Sequence, residues 1–143
     1  MNKTLTLPVY KGLLKVFDIE IELTTEEKGV SISVLNDIKG ILGQYKEVDF
    51  FYALAELRED MSAKELMIGC KGALENVFPS GLSAEMSSGL VAYDCSSDEK
   101  IKDNAKVNIF DEVTPDEVSH LTTFVKQKKN RMTLIKSGKL GRR

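Results

Sequence analysis

The sequence predicts an α+β (or α/β) fold, with a mixed sheet of four to five strands covered by about three helices and ending in a long amphipathic C-terminal helix. Three observations carry that expectation. Phe17 to Leu23 alternates apolar and acidic residues with the period of a half-buried strand. Two capping-box patterns, Ser62-Ala63-Lys64-Glu65 and Thr114-Pro115-Asp116-Glu117, mark helix starts. Strand-like and helix-like runs interleave along all 143 residues without an internal repeat, low-complexity tract or linker. A chain of this length buries roughly two-thirds of the surface it exposes when unfolded, so residues 1–137 are expected to form a single α+β domain, with 138–143 a short basic tail.

Leu5, Leu7 and Val9 alternate, but Pro8 cannot donate to a ladder, so the opening reads as a short edge strand turned at Gly12. In the next strand Phe17, Ile19, Ile21 and Leu23 face a core, and Asp18, Glu20 and Glu22 form an outward row about 7 Å apart. Thr24 to Gly29 turns the chain. Val30, Ile32 and Val34 alternate, whereas Leu35, Ile38, Ile41, Leu42 and Tyr45 recur at helical spacing, which predicts a helix from about Ser33, weakened by Gly40 and Gly43. The evenly apolar run from Val48 to Leu57 predicts a central strand. After the Ser62 capping box, Leu66, Cys70, Ala73, Leu74 and Val77 predict a helical face ending by Pro79. Gly89 to Cys95 and Lys106 to Phe110 predict two more strands, separated by a charged loop over Ser96 to Asn104.

The last helix is expected over Thr114 to Ser137. Thr114 suits the N-cap, Pro115 the first turn, and Glu117 can reach back to the cap N–H. Val118, Leu121, Val125, Met132 and Ile135 then draw one apolar stripe, interrupted at Lys128, that should lie on the core.

A net charge of −2 hides a division. Residues 1–125 carry 22 acidic and 12 basic side chains, a balance of −10, while residues 126–143 carry eight basic and no acidic ones. An acidic body attracts basic surfaces, and a basic end attracts phosphate or anionic lipid. No stretch approaches the length needed to span a bilayer, so a cytoplasmic protein without a membrane partner is expected. Cys70 and Cys95 match no C-x-x-C spacing, and the preferred reading is two reduced thiols.

Chemistry-bearing motifs are scarce. Gly69-Cys70-Lys71-Gly72 and Lys136-Ser137-Gly138-Lys139 lack the spacing of phosphate loops, and the two glycines of the first are better read as points of close packing. One His and two distant Cys do not assemble a zinc site. His120 lies off the apolar stripe, and no carboxylate pair stands out as an acid–base couple. These readings point to a protein that is not an enzyme and takes no cofactor.

Three functional classes compete. The first is a small acidic binding or inhibitor protein, an immunity-type protein that neutralises a basic, nuclease-like toxin through Asp18, Glu20, Glu22, Glu26 and Glu27. The alternative is a nucleic-acid-binding accessory protein that uses Lys126, Lys129, Arg131, Lys139, Arg142 and Arg143, with Phe124 close enough to stack a base. The third is a small-molecule enzyme whose site the sequence does not display. The first two differ in which charged pole carries the contact.

Overall fold

The computed structural model describes residues 2–39, 41, 43–79, 87–95 and 106–137. It is an α+β fold. A curled antiparallel sheet contains β1 (Asn2–Lys11), β2 (Leu14–Glu26), β3 (Gly29–Val34), β4 (Gln44–Glu47) and β5 (Met67–Ile68) in the order β4-β3-β2-β1-β5. A smaller antiparallel sheet has the order β6 (Val77–Phe78), β7 (Val91–Asp94) and β8 (Lys106–Asn108). Two α-helices, α1 (Phe50–Ser62) and α2 (Phe124–Lys136), and two 3₁₀ segments, Lys71–Ala73 and Pro115–His120, complete the described chain. The expected tail 138–143 and the loop 96–104 lie outside the described residues. Among the described residues no helix is long and apolar enough to cross a membrane.

The alternation in β2 is realised as expected. Ile19, Ile21 and Leu23 are buried, and their partners Leu7, Leu5 and Ile32 supply neighbouring core surface. Contrary to expectation, β1 is long and lies inside the sheet, between β2 and β5. Pro8 is tolerated there because a strand residue directs its N and its O to the same side. Its carbonyl accepts from Gly69 N at 2.7 Å on the β5 side, so no bond to β2 is lost.

The run Val48 to Leu57 is not a central strand. It belongs to α1, whose N-cap Asp49 accepts from Tyr52 N at 3.0 Å. The helix reads as evenly apolar because it is covered on two sides, by β3, β4 and β5 and by α2 with the first 3₁₀ turn. Phe50, Ala53, Leu54 and Leu57 are buried, and so are Phe51, Ala55 and Arg58. The expected helix from Ser33 is replaced by β3, a loop and β4, closed by Val34 N to Gly43 O at 2.9 Å.

The expected helix after Ser62 is absent too. Ser62 ends α1, and its hydroxyl bonds back to Glu59 O at 2.9 Å. The glycines that follow are close-packing points. A Cβ on Gly72 would stand 2.8 Å from both Ile109 Cβ and Leu54 Cδ2, and one on Gly69 would stand 2.6 Å from the Tyr10 ring.

The long C-terminal helix is split. Glu117 does reach back to Thr114 N at 2.8 Å, but the helix it starts is a 3₁₀ segment that ends at His120. Leu121 forms a β-bridge with Leu74, and Thr122 N bonds to Ala73 O at 3.0 Å, which pulls the backbone out of helical geometry. Thr123 then caps α2. The helical phase restarts, and the predicted stripe breaks: Val118 is buried and Leu121 half-buried, whereas Val125 and Met132 are 53% and 51% exposed. The inner side of α2 is instead held by Gln127, only 1% exposed. Its Nε2 reaches the carbonyls of Gly72, Leu74 and Val77 at 3.0, 2.9 and 2.7 Å, and its Oε1 accepts from Arg58 Nη1 at 2.8 Å. Arg58 also donates to Gly72 O and Thr122 O, and its burial lowers the guanidinium pKa to about 10.

Candidate protein-docking face

The face of the large sheet opposite α1 carries the carboxylate row. In register, Asp18 opposes Pro8, Glu20 opposes Thr6, and Glu22 opposes Thr4 and Ser33. No basic residue sits directly across the ladder from the row, so neighbouring carboxylates repel without cross-strand compensation. Asp18 is the exception: Lys15 Nζ stands 2.9 Å from its Oδ1, and that bond keeps the ammonium charged to higher pH. Asp18 and Glu20 are exposed and Glu22 is half-buried. Asn36 fixes the backbone beneath them, accepting from Glu20 N at 3.0 Å and donating to Asp18 O at 2.9 Å.

The row leads to the β2–β3 turn. Glu26 is paired to Lys46 at 3.9 Å across an exposed gap, a contact worth little in water, and Glu27 is exposed in the turn. What this turn adjoins is not encoded in the local alternation of residues. Gly29 packs on the backbone of Glu47, where a Cβ would meet Glu47 O at 2.6 Å, so the end of β4 lies beside the acidic turn. Glu47 in turn faces Glu56 of α1. The Glu56 carboxyl is pushed up from 4.5 to about 7, first by its hydrogen bond to Glu47, then by burial and by the charges of Glu47, Glu59 and Asp60. Asp60 accepts from Tyr45 Oη at 2.6 Å, which anchors this corner to β4. Among the described residues Glu20, Glu22, Glu27, Glu47 and Glu56 have no ion pair. The acidic surface therefore runs along β2, around the turn and onto the β4–α1 edge.

The basic residues singled out in the sequence are divided. Lys126 and Lys129 are exposed on α2, but Arg131 is half-buried and lines a cleft with Phe78 and Pro79. Phe124 packs edge-to-face on Phe51 and Tyr52, with Lys128 Nζ 4.9 Å from its centroid, so this ring is engaged within the protein rather than standing free to stack a base. Lys139, Arg142 and Arg143 lie outside the described residues.

His120 Nδ1 is 2.8 Å from Glu75 Oε1 at the rim of an open cleft that also includes Asp94, Asp116 and Glu117. Glu117 is held by Lys71 at 2.6 Å. Both cysteines are free thiols, and burial raises Cys70 to about 12, far from a reactive thiolate. Among the described residues no group of three or more His, Cys, Asp or Glu side chains is placed to hold a metal ion. The chain matches no protein-family model and no curated protein sequence.

Proposed function

We propose that this protein acts by binding a basic protein partner through the acidic surface formed by Glu20, Glu22, Glu27, Glu47 and Glu56. The observation that carries the reading is the lack of cationic compensation: among the described residues Glu20 and Glu22 on the outer sheet face, Glu27 in the adjoining turn and the hydrogen-bonded Glu47–Glu56 pair at the β4–α1 edge have no basic partner, whereas the neighbouring Asp18 and Glu26 have lysine partners. Like charges gathered on a rigid sheet raise the free energy of the unbound protein, and a cationic partner relieves it. The resulting field accelerates encounter and selects partners by charge. The finer form of the proposal is an immunity-type inhibitor that covers a basic, nuclease-like toxin domain.

The test is affinity capture from source-cell extract at low salt, comparing the parent with a Glu20→Lys, Glu22→Lys, Glu27→Lys triple variant. These side chains sit on strand and turn positions that leave the core untouched, so folding should survive. The expected result is a basic protein retained by the parent and lost from the variant. Equal retention by both, or retention of RNA alone, would overturn the proposal.

A further inference from the structure

The outer side of α2 carries the opposite charge to the sheet. Lys126, Lys128, Lys129 and Lys136 are exposed on it, and so are Val125 and Met132, an apolar pair about two turns apart. Val125, Lys128, Lys129, Met132 and Lys136 line one open groove. Among the described residues none of the four lysines has an ion pair. We propose that this face docks on the acidic sheet face of a second copy of the chain, so that the molecules associate head to tail.

The two faces cannot meet within one molecule. The carboxylate row lies on the side of the large sheet opposite α1, and α2 packs on α1 through the Arg58–Gln127 contact, so α1 separates the poles. Compensation of either pole therefore comes from another molecule, and the chain itself carries both halves of the contact. The sheet face also suits the apolar pair. Glu20 and Glu22 stand beside exposed Thr6 and Thr4 across the β1–β2 ladder. A helix laid on this face sets lysines against carboxylates, and Val125 and Met132 against threonine methyl groups. The lengths agree: Lys126 to Lys136 spans about 15 Å of helix and β2 from Glu20 to its end at Glu26 about 20 Å. Other anionic occupants use the face less well. Phosphates leave Val125 and Met132 without a role, and the nearby Phe124 ring is already engaged by Phe51, Tyr52 and Lys128. Two apolar side chains fall short of the apolar face that an interfacial membrane helix buries.

The contact joins two different surfaces, so nothing closes it and association is open-ended. Exposed charge pairs each contribute little, which sets Kd on the order of 0.1–1 mM at low salt. The inference rests on the acidic surface of the reading above and not on its foreign partner, which would compete for the same sheet face.

The test is light scattering from the purified full chain up to about 1 mM, at about 20 and 300 mM salt, with amide NMR shifts followed on dilution. The expected mass rises with concentration at the lower salt and returns to one chain at the higher. Shifts should centre on α2 and on the outer face of β1 and β2. The Lys126→Gln, Lys129→Gln, Lys136→Gln variant should weaken association about 10-fold. A Lys3→Gln, Lys39→Gln, Lys64→Gln control has the same net charge, also alters only exposed residues, and should change it less than about 2-fold. A monomer at every concentration and salt, equal losses in the two variants, or dilution shifts away from the two faces would overturn the proposal. So would saturable binding of a single-stranded RNA at α2 by a chain that stays monomeric, which assigns the helix to nucleic acid. Self-association without capture of a basic protein from extract would remove the foreign partner and leave this contact standing, and capture by a chain that stays monomeric would do the reverse.

Discussion

Replacing Gln127 by Met keeps the volume and helix propensity of the side chain and deletes only its hydrogen bonds, so it isolates what holds α2 in place. In the parent, two amide hydrogens are shared among the carbonyls of Gly72, Leu74 and Val77, and Oε1 accepts from Arg58. Gly72 O keeps its bond from Arg58, and Leu74 O keeps a 3.2 Å bond from Val77 N, so those acceptors are not orphaned. The loss is about two neutral bonds at roughly 1 kcal/mol each and one charge-assisted bond at roughly 2 kcal/mol. Burying the thioether returns part of this. The expected net destabilisation is about 3 kcal/mol, or a melting temperature about 6–12 °C lower for a chain of this size. Urea unfolding followed by circular dichroism measures it, with the m-value as a check that two-state behaviour is kept. A loss below about 1 kcal/mol would show that the Gln127 network does not fix α2. By contrast Val125→Ala, on the exposed side of the same helix, should change stability by less than about 0.5 kcal/mol.

Two further predictions concern titratable groups. Glu56 has a folded-state pKa raised from 4.5 to about 7, so its protonated form contributes stability below about pH 4.5 that is lost as the pH rises through 7. Glu56→Gln should therefore match the parent at pH 4 and exceed it at pH 8, by about 1 kcal/mol once screening at this partly exposed site is allowed for; equal stability at both pH values would refute the Glu47–Glu56 coupling. In the native protein a thiol reagent should modify half-buried Cys95 readily and spare buried Cys70, with two thiols appearing on unfolding. Rapid reaction of both in the native state would contradict the burial of Cys70.

The fold class was legible because one strand carried an unambiguous signal. In β2 one face is buried and the other wet, so period two shows directly in the residue types. The two observed helices were misread because the sides they bury are not marked by an apolar period. α1 lies between a sheet and a second layer, and its apolar run resembles a strand because neither face is polar. The Asp49 N-cap, with Phe50, Ala53, Leu54 and Leu57 at helical spacing, was the available clue. In α2 the inner side is marked by a glutamine, which no apolar pattern can reveal, and the outer side carries Val125 and Met132. The Thr122-Thr123 pair signalled the break and the new cap. The carboxylate row was readable from alternation alone, whereas the Glu47–Glu56 encounter depends on the β4 register and the placement of α1, neither of which local sequence encodes. The division of the basic residues between the rim of an aromatic cleft and an open helix face likewise required the helical phase set by Gln127.

The most direct test of the central claim is the association rate of the captured basic partner with the parent and with the Glu20→Lys, Glu22→Lys, Glu27→Lys variant, measured across ionic strength at pH 6 and pH 8. Steering by the acidic face predicts that the variant associates at least about 10-fold more slowly at low salt and shows a flattened salt dependence. Because a cationic partner draws Glu56 back toward its ordinary ionisation, the parent's affinity should also rise by up to about 10-fold from pH 6 to pH 8. Equal rates for parent and variant at every ionic strength, with no pH dependence of affinity, would contradict the account.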